Sequence, residues 1–347
     1  MLREATVHTM DWCEKTMSVI REHQLEACEK RLAGSPRVGL FSQQATDLDA
    51  QAMFDRSYYA VEESRAELVT LERLRERVLT RLPQEARYLS LGESELLERL
   101  LLARGRLPMT EWEDIASAEA LASRLWCHFE QEDRLLTAVL SETLMERVLL
   151  AMNAEGYHRA RELVFRFDAT LRGLLYIAGF LHSAQPTGCF LQDVMGEATP
   201  EARRLAVRYL KASYEYIPEN GHELILLHPG LADPYRLIER SGNTGWVTLE
   251  LSKEMVEGGI NGLFPEEEEI HLNMWAALQG AVRPELNARE AAEDLRMLAK
   301  QGVELWQMEE VLSSMLSVLP TPHMRAMLLQ LYQRTPHWIG LRATLQH

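Results

Sequence analysis

The stretch FPEEEEIHLNMWAAL, from Phe264 to Leu278, places a proline and four consecutive glutamates directly before an apolar helical pattern. Proline fits the first position of a helix, and carboxylates are stabilised near the positive end of the helix dipole. Ile270, Met274 and Leu278 then recur at four-residue spacing, which predicts one buried helix face. We therefore interpret this stretch as a helix start, and similar signals recur along the chain.

Capping signals mark further helix starts. A capping box pairs a serine, threonine or asparagine with a glutamate three residues later, and a Thr-Pro pair places a capping hydroxyl before a proline at the first helical position. Capping boxes occur at Ser90 with Glu93, Thr110 with Glu113 and Asn287 with Glu290, and Thr-Pro pairs begin at Thr199, Thr321 and Thr335. These signals predict a succession of helices.

The longest predicted helix spans residues 47–82 and ends before Pro83. Its apolar residues recur at multiples of seven, while charged residues fill the remaining faces. This row comprises Phe54, Val61, Leu68 and Leu82. The pattern is typical of a helix packed within a bundle, and a dimeric coiled coil is the alternative.

One region, between residues 221 and 251, departs from helical patterning. The segments HELILLH (222–228) and GWVTLEL (245–251) are short, rich in apolar residues and flanked by glycine and proline, so they predict a small two-stranded ribbon. The predicted fold class is therefore all-α. We expect about ten to twelve helices in stacked bundles or an irregular α-solenoid, with at most one small β-ribbon.

The length of 347 residues favours two domains over one. The stretch QPTGCFLQDVMGEATP, at residues 185–200, contains the predicted boundary near Ala198. The sequence thus predicts an N-terminal helical bundle over residues 1–198 and a C-terminal helical domain over residues 199–347.

Composition argues against several classes of function. With 37 basic and 52 acidic residues the net charge is -15, so no general attraction to nucleic acid or anionic lipid is expected. The longest apolar run, LLYIAGFL at residues 174–181, is far shorter than the roughly 20 residues that span a bilayer, and the N-terminus shows no export signal. Dispersed cysteines and the dominance of arginine over lysine complete the expectation of a cytoplasmic, bacterial protein without membrane insertion.

The opening stretch also carries a Glu-x-x-His pattern, which occurs at Glu268 with His271, Glu155 with His158 and Glu219 with His222. Residues three apart share a helix face, and paired Glu-x-x-His elements bind two metal ions in ferritin-like bundles. Glycine or proline beside the last two pairs predicts a helix junction and a turn, so only the first pair is securely helical. No cofactor is predicted, and Glu268, His271, Glu155 and His158 are kept as weak metal-ligand candidates.

Residues 93–126 have the rhythm of a helix-turn-helix module, with an apolar helix, a short turn, a capped helix and a third helix. The basic residues available to phosphate are Arg99, Arg104, Arg106 and Arg124. Acidic residues dominate the second and third helices, and no strand hairpin is predicted to follow them as a wing. A nucleic-acid-binding regulator is therefore an alternative to a plain helical hairpin.

Motifs for catalysis or phosphate binding are absent from the sequence, including the G-x-S-x-G elbow, the Walker A loop and H-E-x-x-H. Cys127 and His128 are adjacent, but consecutive residues of a helix point about 100° apart, so a thiolate pair is not expected. The sequence leans against an enzyme, although distant residues can assemble a triad.

Tryptophan and methionine recur in the C-terminal helices. Such residues usually fill a core, but they also line grooves that accept a partner's helix. The leading hypothesis is a scaffold, adaptor or regulatory protein that binds another protein through a groove near Trp275, Trp306 and Met315. A metal-binding helical protein or enzyme that uses Glu268 and His271 is the first alternative, and the helix-turn-helix regulator is the second.

Overall fold

A computed structural model describes residues 38–61, 70–109, 112–132, 135–219, 223–231, 233–244 and 265–338. These residues contain thirteen α-helices and six β-strands. The helices are α1 (Asp47–Arg56), α2 (Leu71–Glu85), α3 (Leu91–Leu102), α4 (Trp112–Ser123), α5 (Glu142–Met152), α6 (Tyr157–Ala178), α7 (Ala184–Cys189), α8 (Pro200–Ser213), α9 (Pro234–Thr244), α10 (Pro265–Leu278), α11 (Ala288–Lys300), α12 (Leu305–Met315) and α13 (Pro322–Arg334). The strands are β1 (Arg106–Met109), β2 (Cys127–Glu132), β3 (Leu135–Leu140), β4 (Phe180–His182), β5 (Glu215–Pro218) and β6 (Leu224–Leu227).

The chain divides into two compact units whose segments alternate along the sequence. Among the described residues, the first unit takes those up to Asp168 together with Pro186–Tyr216, and the second takes Ala169–Gln185 together with those from Ile217 onward. Position 198, where the sequence placed a boundary, falls inside the second segment of the first unit. None of the described helices combines the length and the apolar character needed to cross a bilayer.

Most helix starts marked by capping signals are confirmed. Ser90 and Glu93 form the reciprocal capping box that begins α3. The hydroxyls of Thr199 and Thr321 accept hydrogen bonds from the first turns of α8 and α13, and Asn287 does the same for α11. The first backbone N–H groups of a helix have no partner within the helix, and a capping side chain accepts from one of them. These helix starts can therefore be predicted from the sequence. Thr335, in contrast, ends α13 in an extended conformation and begins no helix among the described residues that follow it.

The predicted long helix over residues 47–82 is wrong. The first part, α1, ends at Arg56, because the next residue, Ser57, has an extended conformation (φ -82°, ψ 158°). A new helix, α2, begins after Thr70, whose hydroxyl accepts from the backbone N–H of Arg73, and it continues through Pro83. Residues 62–69 lie outside the described part of the chain. The sevenfold pattern misled because α1 and α2 both bury apolar residues in the same core, as one long helix would.

Two three-stranded antiparallel sheets correct the expectation of at most one β-ribbon. In the first unit, the strand order in the sheet is β1, β3, β2. Along the chain, β1 connects α3 to α4, and the hairpin of β2 and β3 connects α4 to α5. The side chains of Cys127, Phe129 and Ala138 enter the core, whereas those of His128 and Glu130 lie on the opposite face. The predicted third helix within residues 93–126 is wrong, because α4 is followed directly by β2. The predicted lack of a following hairpin is also wrong, because β2 and β3 pair antiparallel.

The second sheet has the order β4, β6, β5. Strand β6 coincides with the predicted HELILLH segment, but its antiparallel neighbour β4 comes from the apolar run over residues 174–181. That run leaves the helix at Gly179, which has a φ of +79° that favours glycine. The segment GWVTLEL, proposed as the second ribbon strand, lies outside the described residues.

Helices α10 to α13 form the helical core of the second unit, with α11 packed against the other three. Residues of α11 are buried on every side, including the polar residues Asp294, Arg296 and Lys300. The chain after α10 and the chain after α12 are tied by a backbone bridge between Val282 and Leu316. This packing confirms a mainly helical fold and places charged side chains inside it.

Candidate functional sites

A pocket of about 260 Å³ lies against the core-distal face of the first sheet. His128, Glu130 and Val139 of strands β2 and β3 line it, and the segment 38–44 forms one wall. The turn before β2 and the first turn of α5 complete the lining. All of these residues belong to the first unit, so the pocket is built within one compact body.

Three side chains form a hydrogen-bonded chain at this pocket. Arg106 of β1 donates to the Glu130 carboxylate over 2.7 Å, and the other Glu130 oxygen lies 3.1 Å from Nε2 of His128. The Arg106 guanidinium lowers the pKa of Glu130, which stays ionised and can only accept. Burial lowers the pKa of His128 despite its bond to Glu130, so the imidazole is neutral at pH 7 with its Nε2–H donated to the carboxylate.

Two features hold the segment 38–44 in place as a wall of the pocket: hydrogen bonds from Arg75 and the close approach of Gly39 to His128. Nε of Arg75 donates to the carbonyl of Leu40, and Nη2 donates to the carbonyl of Ser42, each over 2.7 Å. A Cβ atom on Gly39 would lie 2.4 Å from Nδ1 of His128. Only glycine therefore allows the backbone to approach the histidine this closely.

Cys127 does not pair with His128. The two residues lie on a strand, where neighbouring side chains point to opposite faces, and the helical geometry assumed from the sequence is wrong. Sγ of Cys127 lies 3.3 Å from the carbonyl oxygen of Ala118 inside the core, and burial strongly raises the pKa of the thiol. Cys127 and His128 therefore form no thiolate pair, and the reason is the alternation of side chains along a strand rather than helical geometry.

The structure describes the side chains of three of the four metal-ligand candidates. His271 is buried in α10, whereas the side chain of Glu268 lies outside the described residues. Glu155 and His158 are exposed at the junction of α5 and α6, where Gly156 has a positive φ, and the helix junction predicted from the sequence is confirmed. Within the described part of the chain, no three histidine, cysteine or acidic side chains come together as a metal site. The structure thus does not unite Glu155 and His158 with a further ligand there.

The segment 93–126 folds as helix, strand and helix, with a single helix, α4, between β1 and β2. Three of its four arginines bind carboxylates. Arg99 makes a bidentate pair with Asp114, Arg106 binds Glu130, and the buried Arg124 lies 3.4 Å from both carboxylate oxygens of Glu93. Their charges are compensated within the protein, and Arg124 is inaccessible to phosphate.

The predicted C-terminal groove residues have three different environments. Met315 is fully buried, and Trp275 packs partly against the core of the second unit. Trp306, near the start of α12, is 59% exposed. The three side chains therefore do not share one environment, and only the indole of Trp306 is presented largely to solvent.

A buried cluster in the second unit was missed by reasoning from the sequence. Tyr176 accepts a hydrogen bond at its hydroxyl from Arg296, and the ammonium group of Lys300 lies 4.2 Å from its ring centroid. The carbonyl of Tyr176 accepts from the indole N–H of Trp338 over 2.7 Å. Arg240 donates to the carbonyl of Trp338 over 2.8 Å, so the segment after α13 is fastened to the core by its tryptophan.

His228 belongs to the same cluster. Its ring centroid lies 5.0 Å from that of Trp338, and its Nδ1 accepts from the backbone N–H of Gly230. Burial, assisted by the positive charges of Lys300 and Arg296, lowers the pKa of His228 to about 3. No motif in the sequence marks this cluster, because its members are far apart along the chain.

Comparison of the chain with protein-family models, with curated proteins and with solved structures found no match.

Proposed function

We propose that this protein is a cytoplasmic scaffold, adaptor or regulatory protein that acts by binding another protein, and that the outward face of α12 is its contact surface. The supporting observation is the exposure of Trp306. We define the α12 face as Trp306, Glu310 and Ser313, which recur at helical spacing and are all exposed. Tryptophan is strongly enriched among residues that dominate binding energy at protein interfaces.

The α12 face rests on a rigid support. The opposite side of the helix buries Met308, Val311, Leu312 and Met315 in the core of the second unit. A partner would therefore meet a tryptophan that is already positioned, with little ordering cost for the backbone beneath it. A solvent-exposed indole is itself unfavourable in water, and burial against a partner would remove its apolar surface.

The acidic residues near Trp306 favour a partner with a basic surface. Glu304 and Glu310 are exposed near Trp306, and Glu309 is half-buried one helical turn from it. A partner with an apolar pocket rimmed by lysine or arginine would cover the indole and compensate these carboxylates. The net charge of -15 favours association with such a basic surface as well.

Affinity capture with point variants tests this proposal. The full chain, Trp306→Ala and Leu102→Ala would be expressed in the native cell, and captured proteins would be quantified by mass spectrometry. Leu102 is the matched control because it is 85% exposed but lies on α3 in the first unit. We expect Trp306→Ala to lose its principal partner by about tenfold or more, and Leu102→Ala to retain it.

The purified partner then gives a direct measurement of affinity. Glu310→Lys should weaken binding by reversing one charge on the α12 face, and added salt should weaken binding to the unaltered chain. Equal capture by the chain and by Trp306→Ala would contradict the proposed surface. Selective loss in Leu102→Ala would instead place the contact on the first unit.

A further inference from the structure

The pocket of the first unit carries an inference that is independent of the α12 face. We propose that it binds a small, neutral ring compound that presents a hydrogen-bond acceptor, such as a carbonyl oxygen or a ring nitrogen. The volume of about 260 Å³ is suited to one substituted ring or a compact fused pair. For comparison, a cavity of about 150 Å³ accommodates benzene.

The lining gives a ring both apolar contact and fixed polar groups. Leu40, Phe41 and Leu125 supply apolar surface, and serine and histidine side chains supply polar atoms. Sites for small molecules combine these features, with a mainly apolar enclosure and a few polar groups that set orientation. The wall is also preformed, because Arg75 holds two carbonyls of the segment 38–44 in place.

The charges around the pocket favour a neutral ligand. Glu130 is the only formally charged side chain among the described residues that line it, and Arg106 already pairs with that carboxylate. An anion would meet the negative charge of Glu130, and the described residues of the lining include no cation to receive it. A cation would have to compete with the Arg106 guanidinium for a carboxylate that is already bound.

The serine hydroxyls of the lining can donate hydrogen bonds to a ligand. Trp126 lines the pocket, and its indole N–H is enclosed by protein atoms. The hydroxyl oxygens of Ser42 and Ser141 already accept from backbone N–H groups, which leaves their hydrogens for a further acceptor. An acceptor on the ligand would receive a hydrogen bond from these hydroxyls.

Three ring compounds of nearly equal size and different charge test the proposal. Neutral benzamide, anionic benzoate and cationic benzamidine would each be titrated into the full chain, with the indole N–H signals followed by ¹H–¹⁵N NMR. We expect saturable binding of benzamide that moves the Trp126 indole signal, with affinity at least about tenfold higher than for either charged compound. The Trp126 signal would be assigned by its loss in Trp126→Phe.

Variants separate a specific site from weak surface binding. Ser42→Ala removes one hydroxyl donor from the lining without adding bulk, so benzamide affinity should fall by about three- to tenfold. Trp306→Phe, on the exposed face of α12, should leave the affinity unchanged. Ser42→Phe places a large side chain at the half-buried wall and should abolish saturable binding while the melting temperature stays near that of the unaltered chain.

Four results would overturn the inference: no saturable benzamide binding, equal or tighter binding of benzoate or benzamidine, movement of another indole signal alone, or unchanged affinity in Ser42→Phe. None of these bears on partner capture through Trp306, so this inference and the proposed protein-binding function fail separately.

Discussion

His128 in the first unit and His228 in the second unit are both neutral at pH 7, because burial lowers the pKa of each. His128 lines a pocket and donates to Glu130, a carboxylate that is itself partly exposed. His228 is enclosed by aromatic rings, and the nearby charges that act on it belong to Lys300 and Arg296.

This difference shows how surroundings decide the role of one residue type. A carboxylate partner and an opening leave His128 able to meet a ligand, whereas cations and close packing make His228 part of the framework. Mutations near the second histidine should therefore act mainly on stability. Mutations near the first should act mainly on the shape and chemistry of the pocket.

The largest effect is expected at the tryptophan beside His228. Trp338→Ala should lower the free energy of unfolding by about 3–5 kcal/mol, because it removes a fully buried ring and its hydrogen bond to Tyr176. Trp306→Ala, at an exposed position, should change it by less than about 1 kcal/mol. Urea unfolding of both variants measures the contrast, and similar losses would contradict the anchoring role of Trp338.

Gly179→Ala should follow, with a loss of roughly 3 kcal/mol. The backbone at this position has a φ of +79°, and an added Cβ would lie 2.9 Å from ring atoms of Trp338. Thermal unfolding would report the destabilisation. Gly156→Ala is the control, because it shares the positive φ but has no atom within 4 Å of the added Cβ, so the difference between the variants isolates the clash.

The pH dependence of stability should identify His228. Its folded-state pKa of about 3 lies below the ordinary 6.5, so its contribution is fully present above pH 6.5 and is lost as the pH falls toward 3. Between pH 7.5 and pH 5 the loss attributable to this ring should be about 2 kcal/mol. His228→Asn should flatten the profile in urea unfolding at the two pH values; a profile parallel to that of the unaltered chain would contradict the assignment.

The smallest effect is expected at the glycine beside His128. Gly39→Ala should cost about 1–2 kcal/mol, because either the segment 38–44 or the imidazole must move away from the added methyl group. The NMR signals of His128 should shift more than those of His228. Unchanged His128 signals would show that the close approach of Gly39 does not define the pocket.

Local signals explain which elements were predictable. Thr199 and Thr321 each satisfy an orphan amide with a hydroxyl three residues away, so a short stretch contains both the signal and its partner. The break at Ser57 was hidden because α1 and α2 continue one apolar pattern into one core. At Cys127–Glu132 a period of two was visible, but helix signals on both sides favoured the wrong assignment.

By itself, the sequence determined a mainly helical chain, most of its helix starts and the buried face of α10 at Ile270, Met274 and Leu278. Each of these depends on neighbours within about one or two helical turns. Only the tertiary structure decided which distant residues meet. It pairs β1 with β3, brings Gly39 against His128 and places Trp338 between Tyr176 and His228. Such contacts are fixed by packing and hydrogen bonding across the fold. The periodic pattern of one segment does not indicate which distant segment packs against it.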